Sequence, residues 1–253
     1  MEPGLSHGKI HRPCGTAFSR FRCASPAPQD SSPQGNTNAI LCLVDILQEL
    51  VEHKTPAVLL CLMGFAAGSV PFGLILALLI GKADIRKAGS GNIGAANVAR
   101  VVGKKLGVFT LVLDAAKGAV PVLCAVHLVQ ADLSPPGCAT VAALVGMSAL
   151  LGHCFTPWLR FKGGKGVATG LGVLLALDPE VAGYGILTFA TAFMASRLVS
   201  VSSLSSALVV VIALVVRGPL DVSVVPLISC LVVIAMRHME NVRRVFRRQE
   251  LRL

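Results

Sequence analysis

The stretch Ser90-Gly91-Asn92-Ile93-Gly94-Ala95-Ala96-Asn97-Val98-Ala99-Arg100 is polar and glycine-rich, and it stands between two long apolar runs. Gly91 and Gly94 permit a tight turn that brings backbone N–H groups up to a ligand. Ser90, Asn92 and Asn97 offer both donors and acceptors. Arg100 closes the stretch with a planar fork of donors that fits two oxygens of a phosphate. A second such stretch is Phe161-Lys162-Gly163-Gly164-Lys165-Gly166. Gly163, Gly164 and Gly166 can present N–H groups to an oxyanion, with Lys165 as a point charge and the positive end of the following helix behind them. It is not a nucleotide phosphate loop, because Gly166 follows Lys165 where Ser or Thr would be required. Arg237, His238 and Asn241 fall within one helical turn. Ser200, Ser202 and Ser203 add hydroxyls in Arg197–Ser203, which reads as a serine-rich bend. Serines at helix ends are commonly caps, and a glycine-rich loop can be a plain connector. The chemistry therefore depends on whether these stretches meet.

Composition says what must position them. Of 253 residues 54% are hydrophobic and 14% charged, and the mean hydropathy is +0.73. Soluble domains carry about 25% charged residues, so this is a membrane protein with room for one bundle of spans. A net charge of +10 with one Trp and one Tyr suits cytoplasmic anchoring and an anionic substrate, and not nucleic acid. The eight Cys contain no Cys-x-x-Cys pair and read as small buried hydrophobes.

The expected fold is an all-α, polytopic bundle of about seven transmembrane helices, some short or re-entrant, with five full spans as the alternative. Residues 1–38 are rich in Pro, Ser, Gly and Gln and are expected to be disordered and dispensable, or to reflect an upstream start codon. Ala39–Val51 suits an interfacial helix. Residues 1–56 are thus expected to form an extension, 57–240 a membrane-embedded domain and 241–253 a basic tail. The spans are expected at Ala57–Ile80, kinked at Pro71, then Gly107–Val129, Cys138–Leu151, Val167–Leu177, Val181–Ser196, Leu204–Val216 and Val222–Met236. Asp114 and Lys117 lie three apart on one face of the second, and are expected to be a structural ion pair inside the bundle.

Alternating the sides puts Lys82–Leu106, His153–Gly166, Arg197–Ser203 and the tail together, with sixteen Lys and Arg among them. The other side has Arg217 against Asp132, Asp178, Glu180 and Asp221. The positive-inside rule makes the first side cytoplasmic and puts the N-terminus outside. Lys9, Arg12, Arg20 and Arg22 disagree but lie far from the first span. Ser90, Arg100, Lys165, His238 and Asn241 should then surround one cytoplasmic cavity. No cytoplasmic loop holds a carboxylate pair for a two-metal site, and no Gly-x-Ser-x-Gly elbow is present. His127 and Asp132 match His-x-x-x-x-Asp, but at the opposite end of the bundle. The competing class is a transporter of a phosphorylated anion built on broken spans.

With these motifs in this order, the chain resembles the acyl-phosphate-dependent glycerol-3-phosphate acyltransferases of bacterial inner membranes, the PlsY family. The carriers are Ser90–Arg100, Asp114 with Lys117-Gly118, Gly152-His153 through Phe161-Lys162-Gly163-Gly164-Lys165-Gly166-Val167-Ala168, Ser200–Leu204, and Arg237-His238 with Glu240-Asn241. The resemblance implies transfer of a fatty acyl group from acyl phosphate to glycerol 3-phosphate, giving lysophosphatidic acid without cofactor or metal. It implies functional roles for Ser90, Asn97 and Arg100, for the Gly163–Gly166 loop with Lys165, and for His238 and Asn241. Glu250 matches a structural glutamate. A soluble enzyme that makes acyl phosphate is the implied protein partner. Ala96 departs from the family's usual Thr, Met239 from a basic residue and Arg248 from Gly. The general base is left between His238 and a phosphate oxygen of a substrate.

Overall fold

The structure is a computed structural model that describes residues 33–217 and 222–253. Most of the expectation for residues 1–38 lies outside them. Among the described residues there are helices and no strands: α1 Pro33–Glu52, α2 Lys54–Ser69, α3 Phe72–Leu79, α4 Ala95–Val101, α5 Lys104–Val129, α6 Pro135–Cys154, α7 Val167–Leu177, α8 Pro179–Ser196, α9 Val199–Val216, α10 Val224–Arg237 and α11 Met239–Phe246. The helix expected from Ala39 thus begins at Pro33. Proline is tolerated at a first helical position, where its missing N–H would have no partner anyway.

Pro71 does more than kink the first span. It has no N–H to donate and pushes Val70 into extended backbone (φ −64°, ψ 119°), so α2 stops and α3 restarts beyond it. The Val70 carbonyl is freed, and Lys117 Nζ from the middle of α5 donates to it at 2.8 Å. Lys117 Nζ also lies 3.0 Å from Asp114 Oδ1. The expected ion pair is therefore present, and it seals the break.

α6 is the central column, bounded by α2, α5, α7 and α10. It starts where Ser134 accepts the Gly137 N–H, with Pro135 and Pro136 in the first turn. Small residues set the spacing around it. A Cβ on Gly68 would come within 1.9 Å of the Ala149 carbonyl, and one on Gly152 within 2.2 Å of the Phe65 carbonyl. Without a hydrophobic force between helices in lipid, such close packing is what joins them. Cys138, Cys154 and Cys230 are buried, as small hydrophobes would be.

Four segments among the described residues are long and apolar enough to cross a membrane: Lys54–Leu79, Lys104–Val129, Pro135–Leu159 and Val199–Val216. α10 and α11, bent by 46° at their junction, would make a fifth. α7 has the expected bounds and only 11 residues. The bend expected at Arg197–Ser203 is corrected: Arg197 is a left-handed residue ending α8, and α9 begins at Val199. The sixth span is therefore a full 18 residues and not a short one. Ser202 and Ser203 are accommodated inside the helix, with their hydroxyls donating back to the Leu198 and Val199 carbonyls, four residues earlier.

Candidate active site

Ser90, Arg100, Lys165, His238 and Asn241 line a single cavity of about 690 Å³ at one end of the bundle. Asn92, Asn97, Gly166, Ser200, Ser203, Asp114 and Glu250 line it too. Gly163, Gly164, Ser202 and Lys117 do not.

The first loop is built around Asn97, which is 1% exposed. Its Nδ2 donates to the Ile85 and Ala88 carbonyls at 2.8 and 3.1 Å, and its Oδ1 accepts the Ser90 N–H at 2.8 Å. Both amide hydrogens of Asn97 and one lone pair of its Oδ1 are used in shaping the loop, so it has no donor left for a phosphate. Asn92 Oδ1 accepts the Gly94 N–H at 2.9 Å, a local turn that leads into α4. Gly91 sits at φ +70°, where a side chain would be strained. Arg100, in the last turn of α4, donates from Nη2 to the Leu251 carbonyl at 3.3 Å. Its Nε is buried without a hydrogen-bond partner.

The second loop differs from the expectation. The Gly163 and Gly164 N–H groups are already donated to the Cys154 and His153 carbonyls, at 3.1 and 3.0 Å. Their own carbonyls accept from Arg237, at 2.8 and 3.1 Å. These two glycines cannot offer N–H groups to an oxyanion. They are glycine because the loop folds tightly onto the end of α6: a Cβ on Gly163 would lie 2.1 Å from the His153 carbonyl, and one on Gly164 2.0 Å from His153 Nε2. What faces the cavity is Lys165, Gly166 and the start of α7, where Val167 and Ala168 open a helix. The lysine and the helix N-terminus are the parts of this loop still able to meet an anion.

Lys165 Nζ donates to Asn241 Oδ1 at 2.5 Å, and Asn241 Nδ2 donates to Glu250 Oε1 at 2.6 Å. Burial brings the Lys165 ammonium down to about 8, against the pull of Glu250. His238 is 1% exposed, with Nδ1 2.8 Å from the Ile234 carbonyl. A carbonyl only accepts, so Nδ1 carries the proton and Nε2 is left as an acceptor. Ser200 Oγ is buried without a hydrogen-bond partner. The hydroxyl of Ser203 is used within α9.

Sequence reasoning gave no role to Arg237, which locks the second loop and also lies over the Phe155 ring at 5.7 Å. Nor did it assign Lys104, Arg197 or His153, and it read Arg244 with Arg243, Arg247 and Arg248 as membrane anchoring; Lys104, Arg197, Arg244 and His153 are all on the cavity wall. The available signal for His153 was its place eight residues ahead of the second loop, in the Gly152-His153 pair that opens that motif. From the polar end the cavity runs along Phe193, Phe189, Ile186, Gly185 and Ala182 of α8, facing Ala207 and Val210 of α9 and Val108 and Leu111 of α5. Phe193 to Ala182 is three turns of helix, about 16 Å. A cation-lined mouth joined to an apolar trough suits a substrate pair that carries phosphate and a long acyl chain.

The family model described as glycerol-3-phosphate acyltransferase matches residues 58–248. A glycerol-3-phosphate acyltransferase of Anaeromyxobacter sp. (strain Fw109-5) is 44% identical over 194 residues, 75% of this chain and 93% of that protein. One from Myxococcus xanthus is 50% identical over 147 residues, 58% of this chain and 73% of that protein. Among solved structures, PlsY (YgiH), an integral membrane glycerol 3-phosphate acyltransferase, aligns in its glycerol 3-phosphate form with a TM-score of 0.72 and 37% identity. That match covers 78% of this chain and 96% of the other. Its lysophosphatidic acid form gives 0.69 and 36% over 78% and 95%. The helices, the cavity and these likenesses agree, and this chain belongs to the glycerol-3-phosphate acyltransferase family.

Proposed function

We propose that this protein transfers a fatty acyl group from acyl phosphate to the sn-1 hydroxyl of glycerol 3-phosphate, giving lysophosphatidic acid and phosphate. The observation that carries this is one cavity in which Arg100, Lys165 and His238 surround a polar mouth continuous with an apolar trough. Arg100 and Lys165 hold phosphate oxygens. The trough takes the acyl chain and leaves the carbonyl at its polar end. Binding aligns the acceptor oxygen on that carbonyl. The new C–O bond forms as the carbonyl–phosphate bond breaks, and phosphate leaves with the bonding pair. Ser200 Oγ, unpartnered and buried, is available to the developing oxyanion. The proton passes to His238 Nε2 or to a phosphate oxygen of the substrate; retained turnover in His238→Gln would assign it to the phosphate.

The same reading sets the topology. With α7 and α8 counted as spans, the chain crosses the bilayer seven times, N-terminus outside and C-terminus cytoplasmic, in a bacterial inner membrane. The support is the gathering of the basic loops and the cavity mouth at one end, with Arg217, Asp178 and Glu180 paired at the other. Residues 57–240 form the catalytic domain, 1–56 an extension and 241–253 a tail, and a soluble acyl-phosphate-forming enzyme supplies the donor. Purified protein incubated with acyl phosphate and labelled glycerol 3-phosphate should form lysophosphatidic acid, and acyl-CoA in parallel should not replace the donor. Uptake of glycerol 3-phosphate into vesicles without lysolipid would favour transport instead.

A further inference from the structure

α11 has eight residues and two faces. One face belongs to the candidate site. Asn241, the one buried residue of the helix, accepts from Lys165 and donates to Glu250, and Arg244 stands on the cavity wall. The other face is Met239, Arg243 and Phe246, spaced i, i+4, i+7 and so in one stripe. Phe246 is 85% exposed. Isolated helices shorter than about 12–15 residues are marginal in water, so α11 needs a surface to lie on.

The exposed stripe is not isolated. Val225, Val232 and Met236 form one row on α10, and Met239 continues it across the bend into α11; each of the four is more than half exposed. α10 belongs to the fifth candidate span, so its exposed row faces acyl chains. The row ends at Arg243, Arg247 and Arg248, all exposed. No ion pair among the described residues involves them, whereas Arg244 is paired with Glu240. An apolar row that ends in unpaired guanidinium groups matches lipid chains that end in phosphates. We infer that α11 docks on the phosphate groups of anionic lipids in the leaflet where α10 ends, and that this contact holds Asn241 in the site. The two faces share one short rigid helix, so what fixes the outer face also fixes the inner one.

The test uses full-length protein in nanodiscs of pure phosphatidylcholine and of phosphatidylcholine with about one third phosphatidylglycerol. Backbone amide exchange over residues 239–247 should be about tenfold slower in the anionic discs. The kinetic half rests on the acyltransferase reading above: with acyl phosphate and glycerol 3-phosphate, kcat/KM should be about fivefold higher in the anionic discs. Surface charge alone would lower it, because an anionic surface repels both substrates. In the triple variant Arg243→Gln, Arg247→Gln, Arg248→Gln both differences should vanish, with activity in phosphatidylcholine within about twofold of the parent. Phe246→Ser should shrink both differences with no change of charge. Equal exchange in the two discs overturns the docking, as does slowing that survives in the triple variant. So does slowing reproduced by inorganic phosphate added to phosphatidylcholine discs, or slowing that follows the number of protein copies per disc, which would make a second copy the occupant. Slowed exchange with unchanged kcat/KM overturns the link to Asn241. If exchange responds to lipid charge but no disc yields lysophosphatidic acid, the docking stands and it is the acyltransferase reading that has failed.

Discussion

The two glycine-rich loops look alike in sequence and are built in opposite ways. In the first, one buried side chain, Asn97, holds the backbone through three hydrogen bonds, and the loop's own polar groups face the cavity. In the second, the backbone holds itself: Gly163 and Gly164 spend their N–H groups on the end of α6 and their carbonyls on Arg237. A glycine can serve a ligand or a close approach. Here Gly94 has only Asn92 Oδ1 within 4 Å of a would-be Cβ, at 3.2 Å, whereas Gly163 and Gly164 have none of that space.

The largest effect should separate the loops outright. Gly164→Ala forces a Cβ to 2.0 Å from His153 Nε2. Overpacking of this kind costs about 1–3 kcal/mol or more. Little folded, active protein should be recovered, as read by melting in detergent and by turnover. Gly94→Ala should change stability by no more than about 0.5 kcal/mol, since its one neighbour is the tip of a side chain. Equal melting points for the two variants would erase the distinction.

Asn97→Ala comes next. It strands the Ser90 N–H and the Ile85 and Ala88 carbonyls, and each buried unsatisfied group costs about 1–3 kcal/mol. Turnover should drop further than melting alone explains, because Ser90 and Arg100 are both displaced. Unchanged kinetics in the folded variant would mean that the first loop does not form the site.

Arg100→Lys keeps the charge and loses the fork. Loss of one charge-assisted hydrogen bond, about 1.5–3 kcal/mol, corresponds to roughly 10- to 150-fold in kcat/KM with little change in melting. Activity within about twofold of the parent would reduce Arg100 to a lipid-headgroup anchor.

The smallest effect is a pH profile. If the Lys165 ammonium holds phosphate and titrates near 8, kcat/KM should fall about fivefold from pH 8 to pH 9, because kcat/KM reports the free enzyme. Stability should move the other way. A lysine whose folded pKa is lowered binds its proton more weakly than in the unfolded chain, so folding is favoured as pH rises from about 8 towards the ordinary lysine value. Falling activity with rising melting temperature identifies Lys165 titration; a joint fall would indicate unfolding. Lys165→Arg should remove the decline.

What the sequence determined by itself was class and cast. Apolar runs long enough to span a bilayer, the one-sided distribution of Lys and Arg, and three polar motifs need no partner to be read, because hydrophobic length and charge count are local properties. Asp114 and Lys117 were legible as a pair because helical spacing alone brings them together. The tertiary structure decided which groups remain free. Whether the Gly163 and Gly164 N–H groups could meet a ligand depended on the carbonyls of His153 and Cys154 lying beneath them. Whether Asn97 bound substrate or built the loop depended on Ile85 and Ala88. The serines of α9 divide in the same way: Ser202 and Ser203 donate within the helix, and of Ser200, Ser202 and Ser203 the first alone is buried without a partner. Residue type tells what a side chain can bond to. Only packing tells which of those bonds are already made, because a donor hydrogen or a lone pair that is used inside the fold is not left for a ligand.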